Sequence, residues 1–224
     1  MPQPLPKVKR HASFVISSSL GTDRPILAPY IVDVIATWAS VEVWLGSCLA
    51  RVLGASAETG IAMFTALNSG TAQRDVIRAV ARSELKGDDL TLFLAVLNVA
   101  LDTAKPRNII AHGVWALSPQ IPEGVLLIPP RTYLDWQGKE VAGKGEGHID
   151  TSTVLVYKEK DFQEIVQRII TARNNLQLLW MYLDQRATPK LRERSRTQLM
   201  GQPQIQENIR RQKDNSPRSS ASPG

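Results

Sequence analysis

The residues best suited to chemistry in this chain are Arg107, Asn108 and His112, which share the segment Arg107–Gly113 (RNIIAHG). An arginine guanidinium holds phosphate oxygens through two parallel hydrogen bonds. An imidazole titrates near neutral pH and serves as a general acid or base. Together these residue types suit the cleavage of an RNA phosphodiester, in which one group holds the phosphate while another transfers a proton.

Pro106 and Gly113 predict the limits of a short helix around these residues. Proline is favoured in the first turn of a helix, and glycine is favoured just after the last turn. Arg107 would then lie at the positive end of the helix dipole, where a cation is disfavoured by a few tenths of a kcal/mol. A bound anion would be favoured there, because free backbone amides and the guanidinium would converge on it.

The spacing of the three residues bears on how they would cooperate. Asn108 and His112 are four residues apart, so they share one helix face and the amide could orient the imidazole. Arg107 and His112 lie about 140° apart around a helix axis, at about 100° per residue. They converge if the short helix bends, or if a second copy of the chain supplies the other half of the site across a two-fold axis.

A purely structural interpretation of this segment stays open. His112 could interact with the last carbonyl groups of the helix, and Arg107 could pair with Asp102. This interpretation explains His112 well, but it explains an arginine at the positive end of the dipole less well.

Glu42, Arg74 and Arg78 are candidates to support the site. Glu42 flanks an apolar helix stripe and could pair with Arg107 or polarise the imidazole, although an ordinary boundary glutamate is favoured. Arg74, Arg78 and Arg82 recur every four residues and could form a row of phosphate contacts. Because acidic residues stand close to them in the sequence, a solvated helix face is favoured for this row.

The formal net charge of +6 is concentrated at one end of the chain. From Arg186 onward there are nine Lys and Arg and three Asp and Glu, whereas the preceding residues hold 18 of each sign. The high isoelectric point therefore does not by itself indicate a nucleic-acid-binding face on the folded part. Because Pro, Ser, Gln and Arg dominate residues 187–224, we expect a disordered basic tail there.

Cysteine content and hydrophobicity exclude several classes of protein. The single cysteine, Cys48, rules out an intramolecular disulfide and a multi-cysteine metal site, and its apolar surroundings favour a buried structural thiol. The longest apolar run, residues 90–101, is interrupted by Asn98 and is too short to cross a bilayer. No secretory signal pattern follows the basic N-terminus. We therefore expect a cytoplasmic protein without a metal, a cofactor or membrane contact.

The hydrophobic periodicity predicts a mainly α protein, an antiparallel bundle of about four helices with a small antiparallel β-sheet inserted before the last helix. The domain is expected over residues 27–186, after a loosely ordered arm at 1–26. The predicted helices cover 31–52, 58–67 with a continuation at 71–85, 88–104 and 161–183. The predicted strands, within an insertion at about 114–157, are 114–117, 124–128, 132–136 and 153–157, with a mobile hairpin tip at 138–147.

The pattern of Arg107 and Asn108, three further residues, His112 and then Gly113, after a central apolar helix, resembles the HEPN superfamily (higher eukaryotes and prokaryotes nucleotide-binding domain). The resemblance covers about residues 30–185, and its specific part is the hexapeptide Arg107–His112. The strand-rich segment after the motif departs from the plain helical bundle of that family.

The resemblance implies a metal-independent endoribonuclease whose active site forms where two motifs meet in a homodimer. It implies that Arg107 binds phosphate, that His112 is the acid or base, and that Asn108 orients the His112 imidazole. The expected substrate is single-stranded RNA. Such enzymes act in toxin–antitoxin, phage-defence or RNA-processing systems. Other members are inactive and serve as antitoxins, adaptors or nucleotide-binding modules, so a protein partner is a further expectation. A plain helical scaffold is the third alternative.

Overall fold

The computed structural model describes residues 1–10, 12–142 and 149–214. Its helices are α1 (Leu5–Val8), α2 (Leu20–Asp23), α3 (Ala28–Val52), α4 (Ala57–Ala66), α5 (Gly70–Glu84), α6 (Gly87–Asp102), α7 (Ala104–His112), α8 (Pro130–Val141), α9 (Glu159–Leu183), α10 (Pro189–Met200) and α11 (Pro203–Asp214). Its strands are β1 (Gln3–Pro4), β2 (Val15–Ile16), β3 (Val114–Leu117), β4 (Gly124–Ile128) and β5 (Leu155–Lys158). The mainly α class and the small antiparallel sheet are confirmed, but the predicted number of about four helices is too low.

The chain divides into two compact units. Unit 1 contains Met1–Trp38 and Thr103–Ile170, and unit 2 contains Ala39–Asp102 and the residues from Thr171 onward. Helices α3 and α9 contribute residues to both units. The single domain predicted over residues 27–186 therefore corresponds to parts of both.

Unit 1 is built around a five-stranded antiparallel sheet with the strand order β1-β5-β4-β3-β2. The central strand β4 is buried at all of its positions. Alternate residues of a strand face opposite sides: Leu126 packs in a cluster with Val156, whereas Tyr157 contacts Phe162 of α9. Because both faces of the sheet are covered, β4 reads as a continuous apolar run rather than as an alternating pattern.

The N-terminal residues belong to this sheet, so the prediction of a loosely ordered arm at 1–26 is wrong. Strand β1 pairs with β5, and β2 pairs with β3, which makes these residues both edges of the sheet. Leu5 is buried, and the Met1 ammonium lies 2.8 Å from a carboxylate oxygen of Asp161. The prolines of this segment suggested disorder, but its partners lie more than 90 residues away and leave no local signal.

Residues 132–136, predicted as a strand, lie within helix α8. Pro130 occupies the first turn of this helix, where the missing amide hydrogen is not needed. Tyr133 is partly buried against the cluster that contains Leu126 and Val156. The aromatic residues Tyr133 and Trp136 are typical of strands, which is why the sequence predicted one here. The predicted hairpin tip at 138–147 is helical as far as Val141, and residues 143–148 lie outside the described part of the chain.

The C-terminal segment forms helices α10 and α11, so the prediction of a disordered tail is wrong for residues 189–214. Leu199, Ile205 and Ile209 are buried, and α11 packs along α6 within unit 2. The sequence of this segment did not predict amphipathic helices, because its apolar residues are few and lie among many polar ones. Residues 215–224 of the predicted tail lie outside the described residues.

A polar cluster, the C-terminal clasp, joins α6, the end of α9 and α10 within unit 2. The Tyr182 hydroxyl donates to Asp89 Oδ1, Arg192 Nε donates to the Tyr182 carbonyl oxygen at 3.0 Å, and Arg196 Nη2 lies 3.4 Å from Asp88 Oδ2. Burial, together with the hydrogen bond and charge of Asp89, raises the pKa of Tyr182 to about 12. The clasp therefore fixes the C-terminal helices through charged partners as well as apolar ones.

Cys48 is fully buried in unit 2, where its Sγ donates to the Leu176 carbonyl oxygen at 3.5 Å. Burial raises the pKa of this thiol to about 12, which keeps it protonated and unreactive near neutral pH. The prediction of a buried structural thiol is confirmed.

Among the described residues, α3 is the one helix long and apolar enough to cross a membrane by length and composition. The core helix of a soluble protein meets the same criterion, and Val34, Val41 and Leu45 of α3 are buried. The absence of membrane contact and the cytoplasmic location therefore stay predictions.

Candidate functional site

The motif Arg107–Gly113 forms most of helix α7 and its exit into β3, within unit 1. The helix begins at Ala104, so Pro106 is its third residue and Arg107 its fourth. The helix therefore begins two residues before the predicted first residue, Pro106, and Arg107 stands at the end of the first turn. The free backbone amides of that turn belong to residues that precede Arg107.

Gly113 ends α7 as predicted, and its amide donates to the Ile109 carbonyl oxygen at 2.9 Å. Its φ of −70° is open to any residue, so backbone freedom does not explain the glycine. A Cβ at this position would lie 2.4 Å from Leu127 Cδ1 and 2.8 Å from the Ile109 carbonyl oxygen. The glycine is needed because the end of α7 approaches strand β4 closely.

Ile110 sets the rotation of α7 about its axis. Its side chain is 1% exposed, whereas Asn108 and His112 are exposed and Arg107 is half-buried. Asn108 and His112 each lie two residues from Ile110, about 200° around the axis. Burial of Ile110 therefore turns the amide and the imidazole towards solvent, where a ligand can reach them.

The hydrogen bonds of the motif differ from the predicted ones. Arg107 Nη1 donates to Asn108 Oδ1 at 3.0 Å, so the amide oxygen contacts the guanidinium and not the imidazole. The expectation that Asn108 orients His112 is therefore wrong in a single copy of the chain. Within the described part of the chain, the His112 side chain makes no hydrogen bond or ion pair, and Arg107 Nε is buried with no hydrogen-bond partner.

Helix α7 is continuous through both Arg107 and His112. The two side chains therefore leave the helix in directions about 140° apart. The alternative in which a bend brings them together within one copy has no support in this helix.

Arg74 and Arg78 lie on α5 in unit 2, whereas the motif belongs to unit 1. Arg78 Nη2 donates to Asn98 Oδ1 at 2.7 Å, and burial together with the positive charges of Arg74 and Arg82 lowers the pKa of Arg78. Arg74 Nε lies 3.7 Å from Asp75 Oδ1. Arg78 thus ties α5 to α6, and the asparagine that interrupts the apolar run of α6 is its partner.

The exposure of the three arginines agrees with neither interpretation of the arginine row in full. Arg74 and Arg78 are half-buried and Arg82 is exposed, so the three side chains are neither a uniform phosphate-binding stripe nor a uniformly solvated face. Glu42 is half-buried in the part of α3 that belongs to unit 2.

Sequence reasoning missed a polar pocket of about 530 Å³ in unit 2, between the ends of α3 and α9 and the start of α4. Arg51 Nη1 lies 3.0 Å from Asp184 Oδ1, and its guanidinium carbon lies 4.3 Å from the centre of the Trp180 ring. These partners are 129 to 133 residues apart in the chain, so no local pattern could reveal the pocket. Its central charges neutralise each other.

Among the described residues no group of three or more His, Cys, Asp and Glu could hold a metal ion, and His11 and His148 lie outside those residues. No family model, curated protein or solved structure matches the chain. The likeness to the HEPN superfamily therefore rests on the motif.

Proposed function

We propose that this protein is a metal-independent endoribonuclease of the HEPN type, in which His112 transfers the proton and Arg107 binds the phosphate. The observation that carries the proposal is the exposed imidazole of His112, which no other described residue engages, one helical turn and a half after Arg107. Most buried or half-buried polar groups of this fold have partners. A solvated histidine at the end of a tightly packed helix is available for chemistry instead.

The proposed reaction is an internal transesterification of RNA. The imidazole of His112 accepts the proton of a ribose 2′-hydroxyl, and the 2′ oxygen attacks the adjacent phosphorus. The bond from phosphorus to the 5′ oxygen breaks, and that oxygen takes a proton from water. Arg107 stabilises the charge on the phosphate oxygens. The products are a 2′,3′-cyclic phosphate and a 5′-hydroxyl.

A homodimer would resolve the orientation of the two side chains. Because Arg107 and His112 point away from each other on one helix, a complete site would combine Arg107 of one copy with the histidine of the other across a two-fold axis. The exposed position of His112 supports such an arrangement, since a second chain can approach it freely. A defence or toxin–antitoxin system would be a fitting setting for the activity.

The test is cleavage of a single-stranded RNA in the presence of EDTA. We expect cyclic-phosphate ends from the wild type and a rate about 10²–10⁴-fold lower for His112→Ala, which is the usual contribution of a positioned general base. His148→Ala serves as the matched control, because a contaminating nuclease would cleave equally in both variants. Equal cleavage by His112→Ala and wild type would overturn the mechanism.

A mixing experiment tests the shared cleft. His112→Ala and Arg107→Ala would each be inactive alone, but a mixed dimer would contain one complete site. After unfolding and refolding together, about a quarter of wild-type activity should return, because half of the dimers are mixed and half of their sites are complete. No recovery from a mixture that forms dimers would contradict the shared site.

A non-catalytic HEPN-like module, acting as an antitoxin, adaptor or nucleotide-binding protein, is the second candidate. The hydrogen bond from Arg107 to Asn108 Oδ1 favours this candidate, because the Asn108 side chain then binds the guanidinium and does not orient His112. A stable complex with a second protein, together with no RNA cleavage, would support this function over the first.

A further inference from the structure

Most of the excess positive charge of the chain lies on the C-terminal helices of unit 2. Residues 186–214 contain eight Lys and Arg and three Asp and Glu, and most of them stand on α10 and α11. The other described residues of unit 2, at 39–102 and 171–185, contain six basic and eight acidic residues. Positive charge is therefore concentrated on one segment, which the C-terminal clasp and the buried Ile205 and Ile209 hold in place.

Helix α10 separates its basic residues into two groups on opposite faces. Arg192 and Arg196 belong to the clasp, and Ser195 and Leu199 on the same face are buried. Lys190 lies about 160° from Arg192 around the axis, at about 100° per residue. One face of α10 therefore serves the fold, and the opposite face points to solvent.

The outward face of α10 carries cations that the fold does not use. Lys190 and Arg194 are exposed, stand one above the other four residues apart, and follow the exposed Arg186. Within the described part of the chain these three side chains have no hydrogen bond or ion pair. On α11, by contrast, Arg210 and Arg211 share the carboxylate of Glu207, at 3.5 and 3.0 Å.

We propose that Lys190 and Arg194 on the outward face of α10, together with Arg186 three residues before the helix, bind the phosphodiester backbone of a nucleic acid. The identification of this nucleic acid with the RNA substrate rests on the proposed function, whereas the proposal of a phosphate-binding surface is independent of it. The helix geometry places Lys190 and Arg194 about 6 Å apart along the axis, at a rise of 1.5 Å per residue. Fixed cations of this kind replace counterions along a phosphate backbone without reading its sequence.

The composition of this face favours a polyelectrolyte over a protein or a membrane. Leu191 is the one large apolar side chain exposed among the described residues of α10, at 41%. A protein interface needs an apolar centre, and a helix that lies on a membrane needs an apolar face. A phosphate backbone needs only positive charge.

The test measures binding of a fluorescent single-stranded RNA to the full chain, with His112→Ala as the parent so that the RNA stays intact. Fluorescence anisotropy over a KCl series gives the affinity and its salt dependence. We expect Lys190→Ala/Arg194→Ala to weaken binding about tenfold at low salt and to reduce the slope of log K against log[salt] by about 1.4, which is 0.7 for each lost contact to a single strand.

Arg210→Ala/Arg211→Ala is the matched control, because it removes the same charge from α11, where the two arginines share Glu207. We expect it to change the affinity less than threefold. An equal loss in both double variants would overturn the assignment to α10, as would an unchanged slope in Lys190→Ala/Arg194→Ala. Equal melting temperatures, expected because all four residues are exposed, exclude unfolding as the cause.

Further arms separate the two proposals and the other partners. Salt-dependent RNA binding through α10 without cleavage by the wild type would support the surface and overturn the nuclease. His112-dependent cleavage with undiminished RNA binding in Lys190→Ala/Arg194→Ala would do the reverse. Duplex RNA and duplex DNA show which nucleic acid is preferred. A polyglutamate peptide that binds more tightly than RNA would assign the face to an acidic protein and overturn the proposal.

Discussion

The motif on α7 and the C-terminal clasp contain similar side chains but differ in how the fold uses them. In the clasp the Tyr182 hydroxyl bonds to Asp89, and Arg192 donates to a backbone carbonyl oxygen. In the motif, the His112 side chain makes no hydrogen bond within the described chain, and the buried Arg107 Nε has no partner. The difference separates polar groups whose hydrogen bonds stabilise the protein from polar groups that the fold does not use, of which the His112 imidazole is exposed.

This contrast makes opposite demands on substitutions. Loss of a polar group that the fold uses leaves its partner unsatisfied and lowers the free energy of unfolding. Loss of an exposed group that the fold does not use changes stability by less than about 0.5 kcal/mol. Stability measurements can therefore sharpen or break the contrast independently of any activity.

The largest effect is expected from Gly113→Ala, which tests whether the exposed motif stands on a tightly packed support. The new methyl group would meet Leu127 and the Ile109 carbonyl oxygen, and the strain should lower the free energy of unfolding by about 3 kcal/mol. Urea denaturation measures the change. Gly138→Ala is the control: nothing lies within 4 Å of the new methyl, so this helical position should gain about 0.5–1 kcal/mol. A neutral Gly113→Ala would contradict the close approach.

Tyr182→Phe should have the next largest effect, because it breaks the clasp. Removal of a hydroxyl that bonds to a carboxylate should cost about 2 kcal/mol of the free energy of unfolding. Tyr157→Phe is the matched control in unit 1: its buried hydroxyl has no hydrogen-bond partner among the described residues, so its removal should be neutral or stabilising by up to about 1 kcal/mol. Equal losses in the two variants would remove the distinction between used and unused groups.

The smallest effect is a change in stability at alkaline pH. The pKa of Tyr182 is raised from 10.0 to about 12 in the folded protein, so its neutral form is favoured by folding. The resulting stabilisation is complete below pH 10 and is lost as the pH rises through about 12. The difference in urea stability between wild type and Tyr182→Phe should therefore shrink between pH 9 and pH 11. A difference that grows over this range would show that the folded state favours the ionised form.

Local patterns predicted the helices and strands whose own sequence contains enough buried apolar residues to show a pattern. The apolar stripe of α3, the apolar run of α6 and the strand β4 were all found, because burial on one or more faces leaves a periodic or continuous signal. Strands β1 and β2 were missed since each has two residues and depends on backbone pairing with a distant strand. Helix α11 was missed because Ile205 and Ile209 are its only two buried residues, which is too few for a periodic apolar signal.

The candidate site was also predicted only in part from local sequence. Pro106 and Gly113 predicted a short helix that contains Arg107 and His112, and the helix ends at Gly113 as predicted. The start of α7 and the partner of Asn108 were wrong, because Thr103 precedes the helix without a side-chain capping bond and the guanidinium competes for the amide oxygen. Local sequence fixes the direction of a helix face, whereas the partners of its polar side chains depend on the surroundings.

The edge strands of unit 1 also constrain the order in which the protein can be made. Strand β1 stands at residues 3–4, and its partner β5 stands at residues 155–158. On a ribosome that adds about 5–20 residues per second, β1 waits about 8–30 s before β5 exists. Residues 39–102 of unit 2 are completed during that wait. The strand that is synthesised first, β1, can therefore be paired only after all the other strands of the sheet exist.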